Sequence, residues 1–254
     1  MIKEKRVQEI IEIINKKKLV KVTDLAEFFN VSEMTIHRDL LSLNNKGFLK
    51  KVYGGAIKSN IGLNIDPYSI RMQKNIKEKE KIAEKAKEFI KDDLTYFVGV
   101  GSTLLQLILK WPRDSKSSIL TNSTIIPILL SNHGNIEIFT TGGIVLNNYL
   151  SVIGPQAEEY LNNFSIDIAF MGCFCISNLL KIGEPDIFQA SILNKVSKIS
   201  KKKILLVDHS KFGVEKGYKY LDIEDIDIII TSKKTPVEFL KKIAKKNVEV
   251  ILVS

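Results

Sequence analysis

Met34, Thr35, Arg38, Ser42 and Asn45 recur at helical spacing on one side of a segment whose other side carries Ile36, Leu40 and Leu43. An apolar stripe at that spacing faces a core, so the polar stripe faces outward. Its chemistry is hydrogen bonding to flat polar edges. Arg38 matters most there, because only four of the chain's 38 basic residues are arginines, and a guanidinium fork grips guanine edges or phosphates in a way a lysine ammonium cannot. A second set of residues suits anion chemistry: Gly101-Ser102-Thr103, Thr121-Asn122-Ser123 and Gly142-Gly143, joined by Asp208 and Lys211 in Asp208-His209-Ser210-Lys211-Phe212-Gly213. Glycine lets a phosphate approach the backbone, hydroxyls donate hydrogen bonds, and free N–H groups at a helix start favour negative charge.

The first set needs two helices and a hairpin to position it. A helix over about Lys3 to Lys17 has Val7, Ile10, Ile11 and Ile14 at core spacing. Thr23 is expected to cap a second helix through Leu25, Ala26, Phe28 and Phe29. The turn Asn30-Val31-Ser32 then caps a third from about Glu33 to Asn45, with Gly47 as its stop. Phe48 to Tyr53 reads as a strand, and Gly54-Gly55 as the reversal into Ala56-Ile57-Lys58. The hairpin would carry Lys50 and Lys51 to a phosphate backbone, which makes the segment a winged helix-turn-helix.

The second set needs a parallel sheet. After a segment without clear periodicity, 59–75, a helix is expected from about Ile76 to Lys91. Strands then follow at Thr95 to Val100, Ser118 to Leu120, Ile136 to Phe139, Ile166 to Met171, Lys203 to Asp208, Ile226 to Thr231 and Val248 to Val253. Helices near Leu104 to Lys110, Ile125 to Leu130, Pro155 to Leu161, Phe188 to Ser200 and Pro236 to Lys246 alternate with them. This alternation predicts an α/β fold: a mostly parallel sheet with helices on both faces and ligands at the strands' carboxyl ends. The domains are read as 1–58 for DNA binding, 59–75 as linker and 76–254 as the α/β domain.

The 254 residues suffice for one small and one medium domain. The net charge is +9, and residues 1 to 58 hold 12 basic against 7 acidic groups, the greater basic density per residue, as a phosphate-binding module requires. No apolar run approaches membrane-spanning length and no signal-type segment begins the chain, so the expectation is a soluble cytoplasmic protein with no membrane partner. Cys173 and Cys175 lack zinc-site spacing and read as structural cysteines; no metal, cofactor or catalytic set is assigned.

The run Val31 to Leu40, followed by Gly47-Phe48-Leu49 and Val52-Tyr53-Gly54-Gly55-Ala56, resembles the amino-terminal signature of DeoR-family transcriptional regulators. Pro67-Tyr68, Arg71, Glu78-Lys79 and Ile82-Ala83 are similar to that family's domain junction. The strand-end motifs above, with Gly154-Pro155 and Gly172, resemble its sensor domain, which is similar in fold to ribose-5-phosphate isomerase. The resemblance implies a repressor of sugar-metabolism genes that acts as a homo-oligomer, dimer or tetramer. Its partners would be a double-stranded operator and a phosphorylated sugar. The DNA-binding residues are then Thr23, Ser32, Met34, Thr35, His37, Arg38, Ser42, Asn45, Lys50, Lys51 and Tyr53, and the effector residues Gly101, Ser102, Thr103, Thr121, Asn122, Ser123, Gly142, Gly143, Asp208 and Lys211.

The chain departs from that pattern at several points. His37 stands where the family usually has arginine, Gly99 where it has aspartate, Gln189 where it has an acid and Leu193 where it has lysine; 144–150 lacks the usual arginine. The pocket is therefore expected either to take a different ligand or to have lost tight effector binding. Two other functions stand beside regulation. A sugar-phosphate isomerase or deaminase on the same fold would draw its base from Glu184, Asp186 or Asp208; a DNA-binding scaffold would have no ligand.

Overall fold

A computed structural model of the chain describes residues 3–17, 19–45, 49–58, 68–147 and 149–254. The expected stop at Gly47, with Phe48 and linker residues 59–67, lies outside the described residues. The chain divides into two compact units, Met1–Ile70 and Arg71–Ser254.

In the first unit, α1 (Lys3–Lys17) leads into β1 (Leu19–Lys21), α2 (Val22–Phe29), α3 (Glu33–Asn45), β2 (Leu49–Val52) and β3 (Gly55–Lys58). Ile10, Ile14, Leu25, Phe29, Ile36, Leu40 and Leu43 form one buried cluster, so the expected apolar stripes of α1 and α3 meet. Thr23 is not the cap of α2. The helix starts two residues earlier than that cap implies, its N-cap Lys21 makes no side-chain bond, and the Val22 N–H instead donates to the Gly54 carbonyl at 3.0 Å. Ser32 does cap α3, accepting from the Thr35 N–H at 3.3 Å.

The reversal is also displaced by one residue. Val52 pairs with Gly55, so Tyr53-Gly54 form the turn, and Gly54 takes the left-handed φ of +70°. Gly55 is needed for a different reason. It pairs with Lys21 of β1, and a Cβ there would sit 2.2 Å from the Val20 carbonyl oxygen. Strand β1, which gave no sequence signal of its own, makes the hairpin a three-stranded sheet in the order β1-β3-β2.

A short helix, α4 (Tyr68–Gln73), occupies part of the segment expected to be linker and spans the division between the units. Then come α5 (Ile76–Lys87), β4 (Thr95–Val98), α6 (Ser102–Leu109), β5 (Ser117–Thr121), α7 (Ile126–Leu130), β6 (Ile136–Thr140), β7 (Ile144–Leu146), β8 (Ser151–Ile153), α8 (Pro155–Leu161) and β9 (Ile166–Met171). They are followed by β10 (Cys175–Ile176), β11 (Lys181–Glu184), α9 (Ile187–Ile199), β12 (Ser200–Leu206), β13 (Tyr218–Asp222), β14 (Ile228–Ser232), α10 (Val237–Ile243) and β15 (Glu249–Val253). The seven expected strands form one parallel sheet in the order β15-β14-β12-β9-β4-β5-β6.

Successive residues of the central strands enter opposite cores, as a sheet buried on both faces requires. Tyr96, Val98, Phe170, Ile204 and Ile230 pack with α5, α6 and α7. Phe97, Ala169, Met171, Leu205 and Ile229 pack with α8, α9 and α10. The sequence reading missed two additions, the β7–β8 hairpin and the antiparallel sheet β10-β11-β13. Cys173 is half-buried and Cys175 buried in β10, both as free thiols.

Candidate functional site

The polar stripe of α3 is presented as the sequence implies. Met34 is 64% exposed, Arg38 is exposed, and Thr35, His37 and Ser42 are half-buried. The Arg38 Nη2 lies 3.8 Å from Met34 Sδ, so the guanidinium runs along the helix surface toward its amino end. Backbone positions place Asn45 in the last turn of α3 and Lys50 in β2. The wing is tied to the helix by the Lys51 N–H, which donates to Asn44 Oδ1 at 2.9 Å, and its tip carries Tyr53 fully in solvent. Sequence reasoning missed the pair beneath this surface: Arg6 Nε to Asp39 Oδ2 at 2.7 Å, with side chains 9% and 2% exposed. Asp39 stands within the signature, but its partner lies 33 residues away, beyond any local pattern.

In the second unit the expected effector residues lie at the carboxyl ends of β4, β5, β6 and β12, on one edge of the sheet. Strand order reverses between β9 and β4, and this switch point is where a parallel sheet opens a crevice. Gly101 caps α6 without a side-chain bond, and Ser102 and Thr103 begin that helix, leaving its first N–H groups for an anion. Gly142 and Gly143 both take positive φ, and a Cβ on Gly143 would lie 2.6 Å from the Ile153 carbonyl oxygen.

Several of these polar groups already serve the fold. Thr121 Oγ1 donates to the Val98 carbonyl at 2.6 Å and accepts from the Ser123 N–H at 3.0 Å. Ser123 Oγ accepts from Ile125 and Ile126 N–H groups at the start of α7. Asn122 differs. Its Nδ2 donates to Gln189 Oε1 at 3.0 Å and to the Val152 carbonyl, while its buried Oδ1 has no partner among the described residues. The Lys211 N–H donates to the Asp208 carbonyl at 3.2 Å, while its ammonium makes no hydrogen bond or ion pair among the described residues. Its ammonium stands 5.9 Å from the Phe174 ring centroid.

Asp208 and its neighbour face the other way, toward the segment that enters the unit. Asp208 Oδ1 accepts from Asn75 Nδ2 at 3.0 Å and from the Ser210 N–H and hydroxyl. Burial works against its charge, but the Ser210 hydroxyl, Lys211 and the Ser210 amide outweigh that and hold it below its usual range. Glu78, in the first turn of α5, accepts from the His209 N–H at 2.7 Å and Ser232 Oγ at 2.6 Å, and its other oxygen lies 2.7 Å from His209 Nδ1. Lys79 donates to the Arg71 and Lys74 carbonyls, both at 2.5 Å, at the end of α4. Glu78, Asp208 and His209 bring ligand-type atoms within 4.8 Å of one another, but those oxygens already serve hydrogen-bond donors, so the group reads as a latch rather than a metal site.

Glu184, which sequence reasoning assigned only to the enzyme alternative, stands out electrostatically. Burial pushes its carboxyl up to about 8, although Lys211 and Arg71 pull it down. Burial likewise lowers Lys79 to about 8 against the pull of Asp208. Between the ordinary 4.5 of a free glutamate and about 8, the folded chain keeps a proton on Glu184 that the unfolded chain has lost. Stability from this group is therefore full below pH 4.5 and falls as pH rises to about 8. Lys79 has the opposite slope between about 8 and 10.5, where the unfolded chain holds the extra proton. In urea titrations across pH 5 to 10, the second unit is expected to be weakest near pH 8, and Glu184→Gln to remove the acid-side decline; an unchanged decline in that variant would refute the assignment.

A helix-turn-helix with a wing, followed by a parallel-sheet domain with a strand-end crevice, defines a DNA-binding transcriptional regulator with a sensor domain. The model of the DeoR-like helix-turn-helix domain matches residues 6–60, and that of the DeoR C terminal sensor domain matches residues 74–233. The chain belongs to the DeoR family. The transcriptional regulator YulB of Bacillus subtilis is 30% identical over 255 residues, covering 100% of this chain and 98% of that protein. GolR of Listeria innocua is 29% identical, covering 93% of each chain. A putative aga operon transcriptional repressor of Escherichia coli O157:H7 is 27% identical, covering 98% of this chain and 93% of its own. Among solved structures, ribose 5-phosphate isomerase A of Methanocaldococcus jannaschii overlaps with a TM-score of 0.41 at 20% identity, covering 54% of this chain and 55% of that one, a likeness that carries no argument about chemistry. Among the described residues no helix is long and apolar enough to cross a membrane.

Proposed function

We propose that this regulator represses genes of sugar use, binds its operator as a homo-oligomer and leaves it when a phosphorylated sugar fills the strand-end crevice. The observation that carries the reading is the latch. The loop bearing Lys211 also bears Asp208 and His209, which hold Asn75 and Glu78 at the start of α5. The chain passes from the DNA-binding unit into the second unit within α4, a few residues before that start. A ligand drawing Lys211 toward a phosphate would pull on Asp208 and His209, and thus on the only covalent path between the units. Its leverage is bounded by its differential affinity for the two arrangements. The relative named a putative aga operon transcriptional repressor fits the reading as a repressor, and α3 with its wing fits two half-sites read by paired subunits.

Selection of duplexes from a random pool, repeated with a mixture of sugar phosphates, tests this reading. A repeated half-site that weakens with one sugar phosphate supports it. A site indifferent to every ligand would leave a DNA-binding protein without a working sensor. On the selected operator Arg38→Ala is expected to lose about 1 to 3 kcal/mol, roughly 5- to 150-fold in affinity, with a much smaller loss on scrambled duplex if Arg38 reads a base. Equal losses on both duplexes in a binding titration would make it a phosphate contact instead.

A further inference from the structure

We propose that Glu184 makes the crevice selective for a phosphorylated amino sugar, its carboxylate pairing with the sugar's ammonium while Lys211 and the start of α6 take the phosphate. The proposal rests on the reading of the crevice as a sugar-phosphate site and names the ligand class.

Glu184 is fixed by unusual local backbone. It ends β11, opposite a bulge in β13, where Tyr220 is the extra residue between the partners of Ile182 and Gly183. A Cβ on Gly183 would lie 2.8 Å from Cys175 Sγ, and one on Gly217 would lie 2.5 Å from the Glu184 carbonyl oxygen, so the two segments cross too closely for side chains there. The carboxyl that results is 8% exposed.

That carboxyl is under-satisfied. A carboxylate offers about four acceptor sites. Among the described residues one donor serves it, the Phe174 N–H at 3.1 Å. The Lys211 ammonium stands 5.9 Å from the Phe174 ring centroid and makes no ion pair with Glu184 within 4.0 Å. The other charged or titratable groups around Glu184 are Arg71 from α4, whose guanidinium lies 5.3 Å from the Tyr149 ring centroid, Asp186 at the N-cap of α9, the Cys173 and Cys175 thiols, and the Tyr149 and Tyr220 hydroxyls.

A buried carboxylate without an ion partner takes up a proton or a cation. At pH 7 a sugar hydroxyl would add one hydrogen bond to a carboxyl that keeps its proton, whereas an ammonium can take that proton's place. An ammonium supplies charge and three donors together, and Asn122 Oδ1, a buried acceptor at the end of β5 with no partner among the described residues, also calls for a donor. The two ends of such a ligand then meet a carboxyl and an ammonium that both lie near Phe174. The same arrangement disfavours sugar bisphosphates, whose second phosphate would meet Glu184.

The test is calorimetric titration of the full-length protein at pH 7 with glucosamine 6-phosphate and galactosamine 6-phosphate against glucose 6-phosphate and galactose 6-phosphate, with inorganic phosphate as the reference for the Lys211 end. At least one amino sugar phosphate is expected to bind tenfold or more tighter than its hydroxyl counterpart, and Glu184→Gln to bring that ratio near one. Equal binding of both counterparts, or a preference that survives Glu184→Gln, overturns the proposal while leaving the sugar-phosphate reading in place. Failure of every probe, phosphate included, overturns both.

Discussion

Asp39→Ala is expected to unfold the DNA-binding unit while the second unit stays folded. Removing one member of a buried ion pair costs about 3 to 5 kcal/mol, because the remaining charge loses the group that compensated its desolvation. At about 0.05 to 0.15 kcal/mol per residue, a unit of this length holds roughly 3 to 10 kcal/mol in all. The loss is therefore a large share of the whole. Trp111 is the chain's one tryptophan and is buried in the second unit, so its fluorescence follows that unit alone, whereas far-ultraviolet ellipticity follows both. In a urea titration, the ellipticity should lose an early helical transition in the variant, the Trp111 transition should not move, and operator binding should fall with the first. A shift below about 1 kcal/mol would show that Arg6 and Asp39 contribute little. The double variant Arg6→Met with Asp39→Leu should recover part of the stability, since an apolar pair of similar volume carries no desolvation penalty.

This pair also marks where sequence legibility ends. The α3 face and the seven strands could be read because each rests on a period within a dozen residues: 3.6 for Ile36, Leu40 and Leu43, and a short apolar run for each buried strand. Thr23 misled because a hydroxyl just ahead of an apolar helical run looks like a cap, whereas the helix start is satisfied by a carbonyl 32 positions away, in the turn of the wing. Strand β1 was invisible for a related reason: three residues have no measurable period, and it exists because Gly55 admits Val20 against its backbone.

The crevice was half legible. Its glycines and hydroxyls announced the strand ends, but which hydroxyls remain for a ligand depends on contacts such as Thr121 with Val98 that no motif displays. Two departures from the family pattern turn out to be one. A Cβ at Gly99 would lie 3.7 Å from Leu193 Cδ2, so the positions where an aspartate and a lysine were expected face each other, and here an apolar side chain fills the space beside a glycine. Glu184, on β11, a strand the sequence did not reveal, supplies a carboxylate elsewhere.

Glu78→Ala should have the largest effect in the second unit. The carboxylate serves the His209 amide, the His209 ring and the Ser232 hydroxyl, and Glu78 is 6% exposed. Its removal leaves buried donors unmet at about 1 to 3 kcal/mol each, so a loss of about 3 kcal/mol or more in the Trp111 urea transition is expected. Asn75→Ala is the gentler companion, taking a single bond from Asp208, which keeps the Ser210 amide and hydroxyl. If the latch transmits the ligand's effect, Asn75→Ala should bind sugar phosphate within a few-fold of the parent chain, yet release operator over a shifted range of ligand concentration. By linkage, operator should then weaken ligand binding by a correspondingly altered factor. An unaltered mutual effect of operator and ligand in Asn75→Ala would place the coupling on another route through the Arg71 to Asn75 joint, where Lys79 holds the Arg71 and Lys74 carbonyls.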